Sequence, residues 1–295
     1  MTHLKDRSPR WAKKLANQVT HGFGMATVWQ RPAPDFLIIG SKRGGTTSLF
    51  NHLLMHPGIL GLYPKSRGKK STDFFFKELQ RSPEWYRSHF HTLQYRRRRA
   101  KELGYTPVAG EASPYYMWDP RIAQRVHALN PSLKAIALLR DPVDRAWSHY
   151  QERRANGVDP LSFEEALAVE PVRTEGELER MFADSSYYSQ AHDWYSYRTR
   201  GIYLPQLKGW TTVFPREQLL VLRSEDMYLD TQATFDKVCD FLGVGQFNLP
   251  TTQVFNASVA ESALPEGPRA ELAAFFAPHN RALEDHLGMT LDWSC

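Results

Sequence analysis

The sequence predicts an α/β fold in which helices cover both faces of a mostly parallel sheet. Short apolar runs at 36–39, 134–139 and 219–222 have the length and composition of buried strands. Segments with helical periodicity separate them, and this alternation is typical of parallel strands joined by helices. No Ser/Gly-rich linker or repeat interrupts the chain, so we expect one domain over residues 35–295 after a basic extension at 1–34.

Each predicted element follows from its own pattern. Strands are short apolar runs that end at turn residues, whereas helices repeat apolar residues every three to four positions. The first elements are a strand at 36–39, a helix at 46–55, a strand at 73–76, a helix at 83–91, a strand at 107–110 and a helix at 119–129. A strand at 134–139, helices at 142–155, 162–168, 188–199 and 203–213, a strand at 219–222, and helices at 231–242 and 268–285 follow.

The overall charge suits an anionic ligand but does not indicate nucleic acid. The 295 residues carry 37 Lys and Arg against 32 Asp and Glu, a formal net charge of +5. This excess is too small to predict a nucleic-acid-binding surface. Two cysteines, Cys239 and Cys295, argue against a disulfide scaffold and favour a reducing compartment.

The first 30 residues contain no apolar run long enough for a signal peptide or a membrane span, so we expect a cytoplasmic protein. Trp11, Leu15, Ala16 and Val19 lie at helical spacing beside basic residues, as in helices that touch a membrane surface. Because this apolar stripe is weak, packing against the domain or disorder is the favoured interpretation. Peripheral membrane contact stays open as the alternative.

The most informative segment is residues 35–49, which reads DFLIIGSKRGGTTSL. A strand runs into a turn whose glycines allow the backbone to approach an anion closely, and a helix from about Thr46 directs free N–H groups to the same point. These features predict a phosphate-binding loop. A Walker A sequence would have Lys at position 46, where this chain has Thr, and the loop carries Lys42 and Arg43 instead.

A second segment brings another cation to the carboxyl end of a strand. The strand at 134–139 is followed directly by Arg140, and open α/β sheets bind ligands at this edge. Ser148 lies about two helical turns later and would present its hydroxyl to the same phosphate. A Walker B strand ends on a Mg²⁺-binding Asp, so Arg140 in this position favours a site without metal.

The segments GSKRGGTTSL at 40–49 and ALLRDPVDRAWSHYQ at 137–151 resemble the nucleotide-binding segments of sulfotransferases that use 3′-phosphoadenosine 5′-phosphosulfate (PAPS). The resemblance is to the branch of heparan sulfate and other carbohydrate sulfotransferases, and residues 110–116, 200–210 and 291–293 extend it. It implies a P-loop-like α/β fold, PAPS as sulfuryl donor, no metal, and a glycan or other small molecule as acceptor. Animal members carry an amino-terminal Golgi anchor, and the lack of one here favours a bacterial-type soluble member.

The resemblance also implies roles for residues of the loop. The family's loop Lys stabilises charge on the leaving oxygen, and matching Gly44-Gly45-Thr46-Thr47 to the family places Arg43 at its position. Lys42 takes this role if the loop threads one residue differently. The expected donor-binding set is Lys42, Arg43, Gly44, Gly45, Thr46, Thr47, Ser48, Arg140 and Ser148.

A carboxylate base is expected to remove the acceptor proton. Heparan sulfate enzymes carry a catalytic Glu in segments such as K-E-x-H-F-F, and residues 70–75 read KSTDFF here. Lys70 matches this catalytic segment, but Ser71 replaces the Glu and Asp73 replaces the His. Glu111, which matches another family Glu, is the favoured base, and Asp73 is the second choice. Other groups such as His52 and His56 stay open.

Two other functions stay open at this point. A nucleotide or small-molecule kinase would share the phosphate-binding loop but would need Mg²⁺ ligands. A catalytically inactive nucleotide-binding protein is the other, because the family's Glu is replaced. The five basic residues within 96–101 would suit an acidic glycan, although such a run is usually a solvated helix face, which is the favoured interpretation.

Overall fold

Five strands form the central sheet of the computed structural model, which describes residues 10–64, 69–253, 255 and 263–293. They are β1 (Phe36–Gly40), β2 (Ile59–Leu60), β3 (Val108–Ala112), β4 (Lys134–Leu139) and β5 (Leu219–Arg223). Their order across the sheet is β2-β3-β1-β4-β5, and each neighbouring pair is parallel. The predicted mostly parallel sheet is confirmed.

Thirteen α-helices surround the sheet within the same described residues. The first seven are α1 (Arg10–Ala26), α2 (Thr46–Leu53), α3 (Pro83–Arg87), α4 (Leu93–Leu103), α5 (Ile122–Leu129), α6 (Pro142–Ala155) and α7 (Phe163–Thr174). The other six are α8 (Glu177–Ala183), α9 (Gln190–Trp194), α10 (Tyr203–Thr211), α11 (Ser224–Leu229), α12 (Thr231–Leu242) and α13 (Glu266–Leu287).

Alternate residues of β1 pack against opposite layers of helices. Phe36 and Ile38 join a buried cluster with residues of α2 and α12, whereas Leu37 and Ile39 join a second cluster with residues of α5 and α10. Successive side chains of a strand point to opposite faces, so a strand that is apolar throughout needs cover on both. The predicted arrangement, with helices on both faces, is confirmed.

The junction of β4 and α6 fixes one edge of the site. Both elements have the bounds that the sequence predicted. Asp141 caps α6, because its carboxylate accepts a 2.8 Å hydrogen bond from the Val143 N–H, and Pro142 occupies the first turn. The strand therefore passes into the helix within residues 140–141, which leaves Arg140 at the carboxyl edge of the sheet.

The strand predicted at 73–76 is wrong, because this segment forms a turn. Asp73 has a φ of 59°, which interrupts an extended backbone, and its carbonyl accepts hydrogen bonds from the N–H groups of Lys77 (2.9 Å) and Glu78 (3.2 Å). The aromatic side chains pack without a strand ladder: Phe74 stacks on Tyr86 with 4.6 Å between ring centroids. The apolar run marks an aromatic cluster.

Other differences concern short or polar elements. The helix predicted at 188–199 is confined to α9, and a 3₁₀ turn follows at Thr199–Gly201. The sequence reasoning missed β2, α8 and α11, which are too short to show a clear period. It also missed α4, which carries the basic run. Arg96 on this helix is buried beside Asp35, so the solvated-face interpretation holds for only part of the run.

The second half of α1 packs on the domain. The ring centroid of His21 lies 6.5 Å from that of Trp85, and Gly24 is so close to α3 that a Cβ would lie 2.8 Å from the Ser88 carbonyl oxygen. This contact favours the packing interpretation for that half. The side chains of Trp11, Leu15 and Ala16, and the whole of Cys295, lie outside the described residues. No helix in the described ranges is long and apolar enough to cross a membrane.

Candidate active site

The candidate active site is a cavity of about 790 Å³ beside the carboxyl ends of β1 and β4. The charged residues that line it are Lys42, Arg43, Lys70, Lys77, Arg140, Asp73 and Glu152. The other lining residues are Gly45, Thr46, Thr47, Pro114, Ser148, Tyr228 and Phe255. Cations outnumber carboxylates, so the cavity suits a polyanionic ligand. Across the described ranges, no group of three or more His, Cys, Asp or Glu side chains is arranged to hold a metal ion.

Two glycines allow the loop to fold tightly at the sheet edge. A Cβ at Gly44 would lie 2.5 Å from the Leu138 carbonyl oxygen, so only glycine permits this approach to β4. Gly45 directly precedes α2 and has a φ of 86°. This left-handed backbone conformation is unfavourable for most residues other than glycine. The Ser224 hydroxyl then fixes the loop by donating a 2.6 Å hydrogen bond to the Gly44 carbonyl. The free N–H groups of α2 are thereby held at the cavity.

The loop and the second predicted segment meet at the cavity. Arg43 Nε donates a 3.0 Å hydrogen bond to Ser148 Oγ on α6. Arg140 Nη1 donates a 3.3 Å hydrogen bond to the Arg43 carbonyl oxygen. Two segments that are far apart in sequence therefore place their cations and hydroxyls at the same cavity. The sequence-based prediction of a shared donor site requires this arrangement.

Lys42 also lines the cavity, and it belongs to a buried charge network. Its Nζ lies 3.8 Å from Asp193 Oδ1 and 3.9 Å from Glu152 Oε2. Arg200 Nη1 donates a 2.9 Å hydrogen bond to the same Asp193 oxygen. Burial lowers the pKa of Lys42 to about 7, although the Asp193 carboxylate opposes this shift. Both loop cations border the cavity, so both sequence-based alternatives for the loop cation stay compatible with the structure.

Lys70 connects the segment before the aromatic cluster to the start of α2. Its Nζ donates a 2.7 Å hydrogen bond to Thr47 Oγ1 and lies 3.5 Å from Thr46 Oγ1. Burial lowers the pKa of Lys70 to about 8, and the nearby Asp73 carboxylate acts in the opposite direction. The cation expected at position 70 therefore reaches the phosphate-binding loop.

The two favoured base candidates lie in different places. Asp73 lines the cavity, and its Oδ1 accepts a 2.7 Å hydrogen bond from Ser71 Oγ. Glu111 lies on β3 with no exposed surface and is not among the residues that line the cavity. Of these two candidates, only Asp73 is therefore placed to contact an acceptor directly in this conformation.

Glu111 instead holds the backbone next to Asp73. Its Oε2 accepts a 2.6 Å hydrogen bond from the Thr72 N–H, and its Oε1 accepts hydrogen bonds from Tyr116 (2.7 Å) and Tyr86 (3.0 Å). Burial raises the pKa of Glu111 to about 7, although the Tyr116 and Thr72 donors oppose the shift. A carboxylate with these partners organises the segment beneath the cavity.

Three other predicted residues are not among those that line the cavity. Ser48 Oγ donates a 2.8 Å hydrogen bond to the Phe255 carbonyl and accepts one of 2.9 Å from the Phe255 N–H. His52 Nε2 pairs with the Gln253 carbonyl oxygen at 3.1 Å, and His56 Nε2 pairs with a more distant backbone carbonyl at 2.7 Å. These side chains fix later segments against α2, and Ser48 thereby holds the backbone of a residue that lines the cavity.

Several cavity residues were not predicted from the sequence. Glu152 had a usable signal, because it lies four positions after Ser148 and therefore on the same face of α6. Tyr228 and Phe255 had none, since each comes from a segment whose own pattern gives no indication of a ligand. Their position depends on tertiary contacts, such as the one between Ser48 and Phe255.

The fold and the cavity define a P-loop-like α/β protein with a cationic ligand site, in which loop cations replace the Walker Lys. A family model described as a sulfotransferase domain matches residues 33–259. The chain therefore belongs to the sulfotransferase family. This confirms the expected membership in the family of PAPS-dependent sulfotransferases, and it does not favour the kinase interpretation.

Relatives and a solved structure agree with this assignment. The bifunctional heparan sulfate N-deacetylase/N-sulfotransferase 3 of Homo sapiens is 30% identical over 216 residues, which cover 72% of this chain and 22% of that protein. The chain thus spans about a fifth of that relative's length. The heparan sulfate glucosamine 3-O-sulfotransferase 6 of Homo sapiens is 26% identical over 292 residues, covering 90% of this chain and 75% of that protein.

A crystal structure of a sulfotransferase from Alicyclobacillus acidocaldarius is similar throughout the domain. It has a TM-score of 0.63 and 30% sequence identity, and the match covers 88% of this chain and 97% of that chain. The resemblance seen in the two nucleotide-binding segments therefore extends over most of the chain, and the predicted P-loop-like fold is confirmed.

Proposed function

We propose that this sulfotransferase transfers the sulfuryl group of PAPS to a hydroxyl or amine of a carbohydrate acceptor. The observation that carries the proposal is the convergence of Arg43, Lys70 and Asp73 on one cavity. The cations suit the leaving phosphosulfate, and the carboxylate suits the acceptor proton. The carbohydrate class is supported by the names of the two human relatives, which both describe heparan sulfate enzymes.

We propose that different groups of the protein bind the two phosphate-bearing ends of the donor. The 5′-phosphosulfate lies at the loop, where α2 directs N–H groups and Thr46 and Thr47 supply hydroxyls. The 3′-phosphate lies near Arg140 and Ser148, because a guanidinium and a hydroxyl at one edge form a charge-assisted site. This arrangement leaves Arg43 and Lys70 for the bridging region between phosphate and sulfur.

The transfer step then needs one proton acceptor and one charge stabiliser. The acceptor O–H or N–H bond breaks as its proton passes to the Asp73 carboxylate, and the acceptor atom forms a new bond to sulfur. The bond between sulfur and the bridging oxygen breaks, and adenosine 3′,5′-bisphosphate leaves with that oxygen. Arg43 and Lys70 stabilise the negative charge that develops there. We propose Glu111 as a positioning residue that holds the Thr72 backbone, rather than as the base.

A labelled-donor assay tests this function. Purified protein is incubated with PAPS labelled in the sulfuryl group in three separate reactions. The acceptor is a desulfated heparan-type polysaccharide in the first, a neutral oligosaccharide in the second and a small phenol in the third. We expect label in a carbohydrate. Transfer to the phenol alone would reject the carbohydrate class, and binding of adenosine 3′,5′-bisphosphate without any transfer would favour the inactive nucleotide-binding alternative. We also propose a cytoplasmic location, which cell fractionation tests separately.

A further inference from the structure

A second cavity of about 480 Å³ adjoins the donor cavity at Lys70, which lines both. It lies between α2, β2 and α4, on a floor that includes Phe50, Leu54 and Leu60. The described lining of this cavity contains no Asp or Glu. Nothing in the donor chemistry requires this space, because the loop, Arg140 and Ser148 all face the first cavity.

Basic side chains stand at the walls of the second cavity. Lys69 and Lys70 line one side of the cavity, and Arg99 on α4 also lines it. Arg99 Nη2 donates a 3.0 Å hydrogen bond to the Pro57 carbonyl, which fixes the guanidinium at the wall. Arg99 also pairs with the exposed Glu102 at 2.5 Å, but exposed pairs at this spacing contribute little and can exchange for a ligand anion.

An aromatic surface lies beside these cations. The rings of His91 and Tyr95 are stacked with 4.7 Å between centroids, and Tyr95 is 41% exposed. Burial lowers the pKa of His91 to about 4, helped by the nearby Arg31 and Arg96, so the imidazole is neutral in this stack. An exposed aromatic face next to cations suits the apolar face of a sugar ring that carries an anionic substituent.

We propose that the second cavity is an acceptor subsite that binds a carboxylate or sulfate group of an extended, acidic carbohydrate. This inference rests on the proposed function and specifies its acceptor. The second cavity is lined by residues that include Phe50 and Leu54, which lie roughly 5 to 10 Å beyond Thr47 of the first cavity at 1.5 Å per residue. The anionic group therefore lies on a sugar unit beyond the one that receives the sulfuryl group.

Direct binding tests the subsite without requiring turnover. The probe is a hexasaccharide of alternating glucuronic acid and glucosamine, titrated by calorimetry into full-length protein saturated with adenosine 3′,5′-bisphosphate. We expect Arg99→Ala and Lys69→Ala each to weaken binding about 10- to 100-fold, the usual range for loss of a charge-assisted contact. The carboxyl-reduced hexasaccharide should bind the unmodified protein as weakly as the natural hexasaccharide binds Arg99→Ala.

Arg98→Ala is the matched control, because Arg98 lies on the same helix with its side chain 81% exposed and outside the lining of the cavity. It should bind the hexasaccharide like the unmodified protein. Equal losses for Arg98→Ala and Arg99→Ala, no effect of carboxyl reduction, or no binding of the hexasaccharide at all would each overturn the proposal. Failure of the donor function is distinguishable, since it would appear as lost binding of adenosine 3′,5′-bisphosphate before any saccharide is added.

Discussion

The Nε atom of Arg43 donates a 3.0 Å hydrogen bond to Oγ of Ser148, although the two residues are 105 positions apart in the chain. This contact joins the phosphate-binding loop to α6. A hydroxyl that accepts from a guanidinium keeps its own proton, so Ser148 can donate to a phosphate oxygen while it orients Arg43. In the proposed function, the two segments therefore form one donor site.

Ser148→Ala should weaken binding of adenosine 3′,5′-bisphosphate about 2- to 12-fold, because one neutral hydrogen bond is typically worth that much. Calorimetric titration of the purified variant measures the change. Ser148→Thr is the matched control, since it keeps the hydroxyl and should stay near the unmodified affinity. Unchanged affinity for Ser148→Ala would show that the hydroxyl serves only to orient Arg43.

Arg140→Ala should discriminate between nucleotides. Loss of a charge-assisted contact to the 3′-phosphate is expected to weaken binding of adenosine 3′,5′-bisphosphate about 10- to 150-fold. Binding of adenosine 5′-phosphate should stay nearly unchanged. Competition binding with both nucleotides checks this. Because Arg140 also donates to the Arg43 carbonyl, equal losses for the two ligands would assign Arg140 to loop support instead.

The two carboxylates should separate catalysis from architecture. Asp73→Asn is expected to lower kcat about 10²- to 10⁴-fold, the usual contribution of a general base, with binding of adenosine 3′,5′-bisphosphate unchanged. Glu111→Gln should lower the melting temperature, because it disturbs a buried acceptor of the Thr72, Tyr86 and Tyr116 donors. The opposite pattern, with Asp73→Asn active and Glu111→Gln stable but inactive, would return the base role to Glu111.

Most of the residues predicted to bind the donor line the cavity, whereas only one of the two favoured base candidates does, and the difference has a physical reason. The loop, Arg140 and Ser148 belong to segments whose strand, turn and helix are specified locally by glycines, a cap and apolar periodicity. The environment of Glu111 depends on the distant Tyr86 and the Thr72 backbone, which no local pattern reveals. The turn at Asp73 was likewise hidden, because three consecutive Phe residues resemble a strand until their aromatic partners are known.

Turnover should persist in excess EDTA. Arg140 follows β4 directly, where a Walker B strand would end on a Mg²⁺-binding Asp, and Arg43 and Lys70 supply positive charge to the leaving group. Labelled transfer is measured with EDTA alone and with added Mg²⁺. Abolition by EDTA with recovery on Mg²⁺ addition would contradict a metal-independent mechanism and would revive the kinase-like interpretation.

Donor binding should weaken as pH rises through neutrality. Burial places the pKa of Lys42 at about 7 and that of Lys70 at about 8. Each side chain is cationic below its pKa and neutral above it, so positive charge in the cavity falls between pH 6.5 and 9. Affinity for adenosine 3′,5′-bisphosphate should therefore decrease over that range, most steeply where Lys42 titrates.

Two variants assign this pH dependence to individual residues. Lys42→Met should flatten the profile between pH 6.5 and about 8, and Lys70→Met should flatten its upper part, because each removes one titrating cation. Asp193→Asn tests the network around Lys42, because it removes the carboxylate that lies 3.8 Å from Lys42 Nζ and raises the pKa of Lys42. The pKa of Lys42 should therefore fall further in this variant. The pH above which nucleotide binding weakens should then move to a lower value. A profile that is flat in the unmodified protein, or that Lys42→Met leaves unaltered, would show that Lys42 does not change charge at the donor site.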